Sequence, residues 1–183
     1  YSVFLWVPAE IQSMLKDKNG FYAFYSAIHV YPSMDCIVSI ENINQLDLRK
    51  TYSSENEEIT VFGQDIFGSQ LCVSSETGYF RLDLETGERD KLGENLEELW
   101  NSILSDPEVE TGYPLAEQWQ IENGALPANY RLCPKIPFFM GGEYSTENLM
   151  AIHTLERIRL GIDIFHQTKN IPDGQQVVLK VIP

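Results

Sequence analysis

The sequence predicts an α+β fold, a single domain spanning residues 1–183 with a central, mostly antiparallel sheet and helices packed on it. Three observations carry that expectation. The chain has 183 residues of which 43% are hydrophobic, enough for one domain with a sizeable core of its own. Short strand-like runs cluster in its middle, separated by Gly, Ser and Asp. Helical periodicity appears on both sides of them, without the regular βαβ alternation that builds a parallel sheet.

The first helix is expected where Pro8 stands at a first-turn position ahead of Ile11, Met14 and Leu15, which share one face. Asn19-Gly20 supplies its end, because both residues tolerate left-handed backbone. Phe21–Tyr31 (FYAFYSAIHVY) is aromatic and β-branched and reads as strand or extended chain. Ile40, Ile43 and Leu46 give a second helical signal, and polar Ser53–Glu58 reads as a loop. Thr60–Phe62, Leu71–Ser74 and Tyr79–Leu84 are the strand candidates of the sheet, with a tight turn at Glu85-Thr86-Gly87-Glu88.

The clearest helix follows. Leu96, Leu99, Trp100, Ile103 and Leu104 form a full apolar stripe. Asn95 with Glu98 makes a capping-box-like start, and Asp106-Pro107 stops it, since proline disfavours helix in the residue before it. Pro114 opens another helix through Trp119 that Asn123-Gly124 ends. Segment 125–142, with Pro127, Pro134, Pro137 and the Gly141-Gly142 pair, reads as extended loop with room for one edge strand. Leu155, Ile158, Ile162 and Phe165 mark a last helix. Pro172-Asp173-Gly174 is a turn, and Val177–Ile182 reads as a closing strand.

Charge is unevenly placed. The net charge is −14, and residues 51–125 hold 17 acidic against 3 basic side chains, while 1–50 and 126–183 balance to −1 and +1. Such a field repels phosphate backbones and attracts basic surfaces, so no direct nucleic-acid partner is expected. Solubility alone is the plain competing reason for the acids. No apolar run approaches the roughly 20 residues that cross a bilayer, so no membrane partner is expected. The apolar opening Tyr1–Val7 lacks preceding basic residues and does not read as a signal peptide. The chain begins at Tyr1 rather than Met, which reads as a trimmed N-terminus. Cys36, Cys72 and Cys133 are odd in number and show no CxxC pairing. They fit structural thiols in a reducing compartment, with the cytoplasm as default.

Chemistry-bearing motifs are few. His29 lies in the aromatic run, and His153 and His166 stand 13 residues apart near the ends of the last helix. That is roughly 20 Å along one helix, too far for one metal. There is no HExxH, no GxSxG elbow and no Gly-rich phosphate loop, so no metal, cofactor or catalytic set is assigned. Gly141-Gly142 reads as a conformational kink leading into Glu143-Tyr144. Trp100 and Trp119 read as core, and Trp6 belongs to the N-terminal stretch. Asp65, Asp83 and Glu143 are flanked by apolar or Gly residues; burial would raise their pKa values and permit glycoside-type chemistry. On the plainer reading Asp65 caps a turn before Ile66-Phe67-Gly68, and Asp83 faces solvent from an alternating strand.

Several stretches together resemble the SUKH superfamily, in particular its Smi/Knr-type branch. They are Lys18–Phe24 (KNGFYAF), Ala27–Pro32 (AIHVYP), Asp65–Gln70 (DIFGSQ) and Tyr79–Glu88 (YFRLDLETGE). After the Trp100 helix come Thr111–Trp119 (TGYPLAEQW), Arg131–Leu149 (RLCPKIPFFMGGEYSTENL) and Pro172–Val181 (PDGQQVVLKV). The likeness follows the chain in order but weakens around residues 33–60, and none of these stretches is a catalytic signature. The resemblance implies a compact α+β domain. Bacterial members of that superfamily look like immunity proteins that neutralise a toxin, and eukaryotic relatives look like regulatory scaffolds.

Three functions follow as expectations. The first is a protein-binding, immunity-type role against a basic cognate toxin, without enzyme activity, with Glu55, Glu57 and Glu58 crowding one polar loop as a rim contact. The second is a regulatory scaffold that takes a peptide-like partner through a sheet edge. The third is a small hydrolase using Asp65 or Glu143.

Overall fold

In the computed structural model, which describes residues 7–34, 36–54, 57–172, 174–175 and 178–179, six strands form one antiparallel sheet in chain order. They are β1 (Phe21–Ala23), β2 (Ile28–Val30), β3 (Ile59–Gln64), β4 (Gln70–Ser74), β5 (Gly78–Leu82) and β6 (Arg89–Gly93). A second sheet pairs β7 (Tyr130–Pro134) with β8 (Leu149–His153). Seven helices surround the two: α1 (Ala9–Asp17), α2 (Ile40–Ile43), α3 (Leu48–Tyr52), α4 (Leu96–Ser105), α5 (Pro107–Thr111), α6 (Tyr113–Asn123) and α7 (Thr154–Thr168). The expected α+β class and antiparallel sheet are therefore present.

Strands β3 (ITVFGQ) and β4 (QLCVS) are buried along their whole length, so their central residues are apolar or β-branched on both faces rather than alternating. Ile11 and Leu15 of α1 and Leu99 and Ile103 of α4 join them in the larger core. Burying each such side chain contributes about 1.5–3 kcal/mol. A smaller core gathers Ala27, Ile66, Ala116, Leu126, Leu132 and Leu149 beside the second sheet, and Phe24 packs on both.

The α4 start forms as its residues imply. Asn95 Oδ1 accepts from the Glu98 N–H at 2.9 Å, while Glu98 Oε2 accepts from the Glu94 N–H at 2.8 Å. The return bond of the capping box is thus made one residue early. Asp106-Pro107 stops α4 and at once starts α5, with Asp106 Oδ1 accepting from Val109 N–H at 3.4 Å. Gly112, at φ +65°, ends α5 and precedes α6.

Four elements depart from expectation. Phe21–Tyr31 is a hairpin, not one extended run, because Phe24, Tyr25 and Ser26 all adopt left-handed backbone (φ 51°, 52° and 67°). Without glycine such residues cost about 1–2 kcal/mol each, and tertiary contacts hold them there. Arg131 Nη1 donates to the Ser26 carbonyl at 2.6 Å, Gln120 Nε2 donates to the Tyr25 carbonyl at 2.9 Å, and both aromatic rings stack on Tyr113. The 40–46 signal resolves into α2, followed by a separate α3. Strand β6 has polar Arg89, Asp90 and Lys91 with only Leu92 buried, as suits a sheet edge. Strand β8 is apolar in sequence (LMAIH) but mostly half-exposed, with only Leu149 buried. Pro172 turns the chain as expected, its carbonyl accepting from Gln175 N–H at 3.4 Å. The strand expected at Val177–Ile182 lies largely outside the described residues, as does Trp6.

Candidate functional site

Consecutive antiparallel strands put the β3–β4 and β5–β6 turns at the same end of the sheet, and the two turns are built alike. Asp65 Oδ1 accepts from the Phe67 and Ser69 N–H groups at 2.9 and 3.0 Å. Asp83 Oδ1 accepts from the Glu85 and Thr86 N–H groups at 2.7 and 3.1 Å. Each carboxylate stands in for a backbone acceptor and closes its turn. The turn-capping reading of Asp65 therefore holds. Asp83 does not face solvent from an alternating strand: β5 ends at Leu82, and the Asp83 side chain folds over the turn that follows.

Between these turns, α5 and the loop after β7 lies a cleft of about 750 Å³. Six carboxylates line it (Asp65, Asp83, Glu85, Glu88, Asp90 and Glu110) against the three guanidiniums of Arg81, Arg89 and Arg157. Every one of those arginines is already engaged by a carboxylate. Arg157 Nη2 donates to Glu85 Oε1 at 2.8 Å and its Nε to the Phe67 carbonyl at 2.7 Å, both partners of this ion pair being buried. Arg81 Nη2 donates to Glu110 Oε2 at 2.6 Å. Arg89 reaches away over the Phe80 ring and grips both oxygens of Glu57 at 2.8 and 2.9 Å. Burial pushes the Asp65 carboxyl above its ordinary range, with the Arg81 charge opposing the shift. Burial likewise raises the Glu85 carboxyl against the pull of Arg157. After pairing, the remaining potential of the cleft is negative.

One wall is aromatic and its placement follows from the Gly141-Gly142 pair. Pro137 leads into a 3₁₀ turn at Phe138–Met140, which Gly141 ends at φ +90°. A Cβ on Gly142 would collide with the Ile136 carbonyl, so only glycine lets the chain pass there. Asn148 ties the loop shut: its Nδ2 donates to the carbonyls of Ile136 and Glu143 at 3.0 Å each, and its Oδ1 accepts from Ile136 N–H at 2.9 Å. The kink so formed lays Tyr144 flat on Phe138, ring centroids 3.9 Å apart and planes 8° from parallel. Phe67 meets the pair edge-on at 5.2 and 6.3 Å.

Of the residues expected at a partner-binding rim, Glu57 and Glu58 do not line this cleft. Glu55 lies outside the described residues. Glu57 is a correction: it does not face outward but is 7% exposed, because the Arg89 guanidinium draws it inward and holds its carboxyl below the ordinary carboxylate range. Glu58 is exposed and pairs with Arg49 at 3.0 Å. Of the two candidate acids for hydrolysis, Asp65 is in the cleft, while Glu143 is exposed on the aromatic loop.

His29 is buried against Tyr22, and burial followed by the Arg131 charge lowers its pKa to about 3, which keeps it neutral. His153 caps α7, its Nδ1 accepting from Leu155 N–H at 3.3 Å. Cys72 and Cys133 are buried and Cys36 is exposed, and burial pushes the Cys72 and Cys133 thiols up. Among the described residues no His, Cys, Asp and Glu cluster could hold a metal ion, and no helix is long and apolar enough to cross a membrane.

Sequence reasoning missed Glu85, Glu88, Asp90, Glu110 and the three arginines as one group, since they come from β5, β6, the turn between them, α5 and α7. Tyr144 was signalled only by the Gly-Gly kink before it. No protein-family model matches the chain, and no curated protein does either. Among solved structures, that of Atu4351 from Agrobacterium tumefaciens is similar in fold, with a TM-score of 0.52 at 10% identity over 85% of this chain and 75% of that one.

Proposed function

We propose that this domain works by binding a basic protein, in the manner of a SUKH-type immunity protein that occludes a cognate toxin in the cytoplasm, and that the acid-and-aromatic cleft is its contact site. The observation that carries this reading is the charge left after internal pairing. Six carboxylates face three guanidiniums in the cleft, and each guanidinium already has a carboxylate partner. Such a surface favours encounter with a positively charged partner and disfavours acidic ones.

The test is co-expression with the product of the adjacent gene, scoring complex formation and growth. The wild-type chain is expected to restore growth. The triple variant Asp83→Asn, Glu88→Gln, Asp90→Asn is expected to lose it while unfolding normally, because Asn at 83 keeps the oxygen that closes the turn. Full rescue by the triple variant would remove the cleft from the interface. No complex with the wild-type chain would remove the immunity reading.

A second reading has one observation in its favour. Asp65 is buried with a raised pKa, and the Asp83 charge contributes to that shift, the arrangement a protonated general acid requires. A small hydrolase of this kind would release nitrophenol from nitrophenyl glycosides and lose that activity in Asp65→Asn. Release no faster than in buffer across the α and β anomers of common sugars discards it.

A further inference from the structure

Taking the cleft as the partner-binding site, its construction also points to what enters it. We propose that the cleft takes an arginine side chain presented by the partner, its guanidinium lying on the free face of Tyr144 and donating to the Asp83 carboxylate.

The aromatic wall is rigidly held and left open. Phe138 covers one face of Tyr144, yet Tyr144 remains 71% exposed, so its other face is available. Gly142 and Asn148 fix the loop that presents this ring, and Phe138 in the same loop packs on the smaller core. A rigid exposed aromatic face is a binding platform, and cations are attracted to it by the ring quadrupole.

The carboxylates share that opening. Asp83, Asp65 and Glu85 line the same cleft as Tyr144. Asp83 commits Oδ1 to its turn, and its Oδ2 makes no hydrogen bond among the described residues. An acceptor and an open aromatic face therefore line one cleft.

The chemistry selects among ligands. An anion is disfavoured because each arginine of the cleft is held by a carboxylate. A guanidinium is preferred over an ammonium, because its planar face can stack on Tyr144 while its edge N–H groups donate to Asp83. A volume near 750 Å³ also leaves room for the residues flanking the arginine, so the ligand is a chain segment rather than a free amino acid.

Three short glycine peptides test this, each with one central residue: arginine, lysine or citrulline, the last being the neutral isostere of arginine. Binding is read by amide chemical-shift mapping at millimolar peptide. The arginine peptide is expected to shift the amides of the 83–88 turn and of the loop at 138–144. Citrulline should bind about tenfold more weakly, the equivalent of one charge-assisted contact of about 1.4 kcal/mol. Tyr144→Ala should abolish the arginine preference, and Tyr144→Phe, which keeps the ring, should retain it. Equal binding of arginine and citrulline, shifts confined to other surfaces, or no shifts at all would overturn the proposal. Its failure is separable from that of the broader reading. If the adjacent-gene product binds through the cleft while arginine peptides do not, only the arginine assignment falls; if peptides bind and that protein does not, only the immunity role falls.

Discussion

The two ends of the central sheet carry acidic connections from the same segment of chain, and their carboxylates meet opposite fates. Where the chain enters β3, Glu57 is drawn under the surface by Arg89, and Glu58 pairs in the open with Arg49. One strand away, about 20 Å at 3.3 Å per residue, the turns at Asp65 and Asp83 collect more carboxylates than arginines. At the first end these two carboxylates are each paired with an arginine. The second keeps a negative surplus beside an exposed aromatic wall. Acid density in a sequence is thus a poor guide to field; what matters is the charge left over once the fold has made its own pairs.

The largest expected effect tests how firmly the cleft's own charges are paired. Arg157→Met leaves Glu85 buried without its cation and frees the Phe67 carbonyl, so stability should fall by about 3–5 kcal/mol. Urea denaturation measures it. A loss under about 1 kcal/mol would mean that the pair is hydrated, because exposed pairs contribute no more than that.

Glu57→Gln probes the buried pair at the entry to β3 and should cost about 1.5–3 kcal/mol at neutral pH, the range of hydrogen bonds to charged groups. Here pH gives a second handle. The folded pKa of Glu57 is depressed, chiefly by the Arg89 hydrogen bonds, so its contribution is fully present above the ordinary value of 4.5 and is lost as pH falls through the lower folded value. The gap between wild type and Glu57→Gln should therefore close below pH 4.5. Asp65 and Glu85 act with the opposite sign. Their folded pKa values are raised, so the stability they contribute is greatest in acid and declines as pH rises from the ordinary carboxylate range through the raised values. A stability-versus-pH curve for Asp65→Asn should lose part of that decline, since Asn keeps the oxygen that closes the turn. A curve parallel to wild type would show that Asp65 titrates normally.

Least affected should be Glu58→Ala. Its pair with Arg49 is exposed on both sides, and such pairs are worth about 0–1 kcal/mol. Thermal unfolding in low salt would show a shift near the error of the measurement. A larger loss would mean that the β3 end depends on this pair as well as on Glu57.

The fold was legible wherever local patterning and burial agree. The α4 stripe with its Asn95 cap, the α1 and α7 periodicities and the apolar runs of β3, β4 and β5 all mark elements whose buried face repeats at the helical or strand period. The signal failed at the margins. Edge strand β6 has only Leu92 to bury, and α5 begins at the same Asp106-Pro107 that ends α4. At Phe24–Ser26 an aromatic run concealed a left-handed turn.

The candidate site was legible only in pieces. Asp65, Asp83 and the Gly141-Gly142 kink stood out because turn chemistry and a forced glycine leave local marks. Glu55, Glu57 and Glu58 stood out only by crowding, and crowding does not say which carboxylate an arginine 32 residues away will pull inward.

The α+β class, the capped helices, the core strands and the confinement of the acid surplus to residues 51–125 can be read from the residues alone, because these depend on periodicity, turn residues and composition. Which acids are paired with an arginine and which are left over is a product of the folded chain. That outcome depends on distances between Arg81, Arg89, Arg157 and partners far away in the chain, set by strand register and helix packing. It is also what brought Tyr144 over the same opening as Asp83.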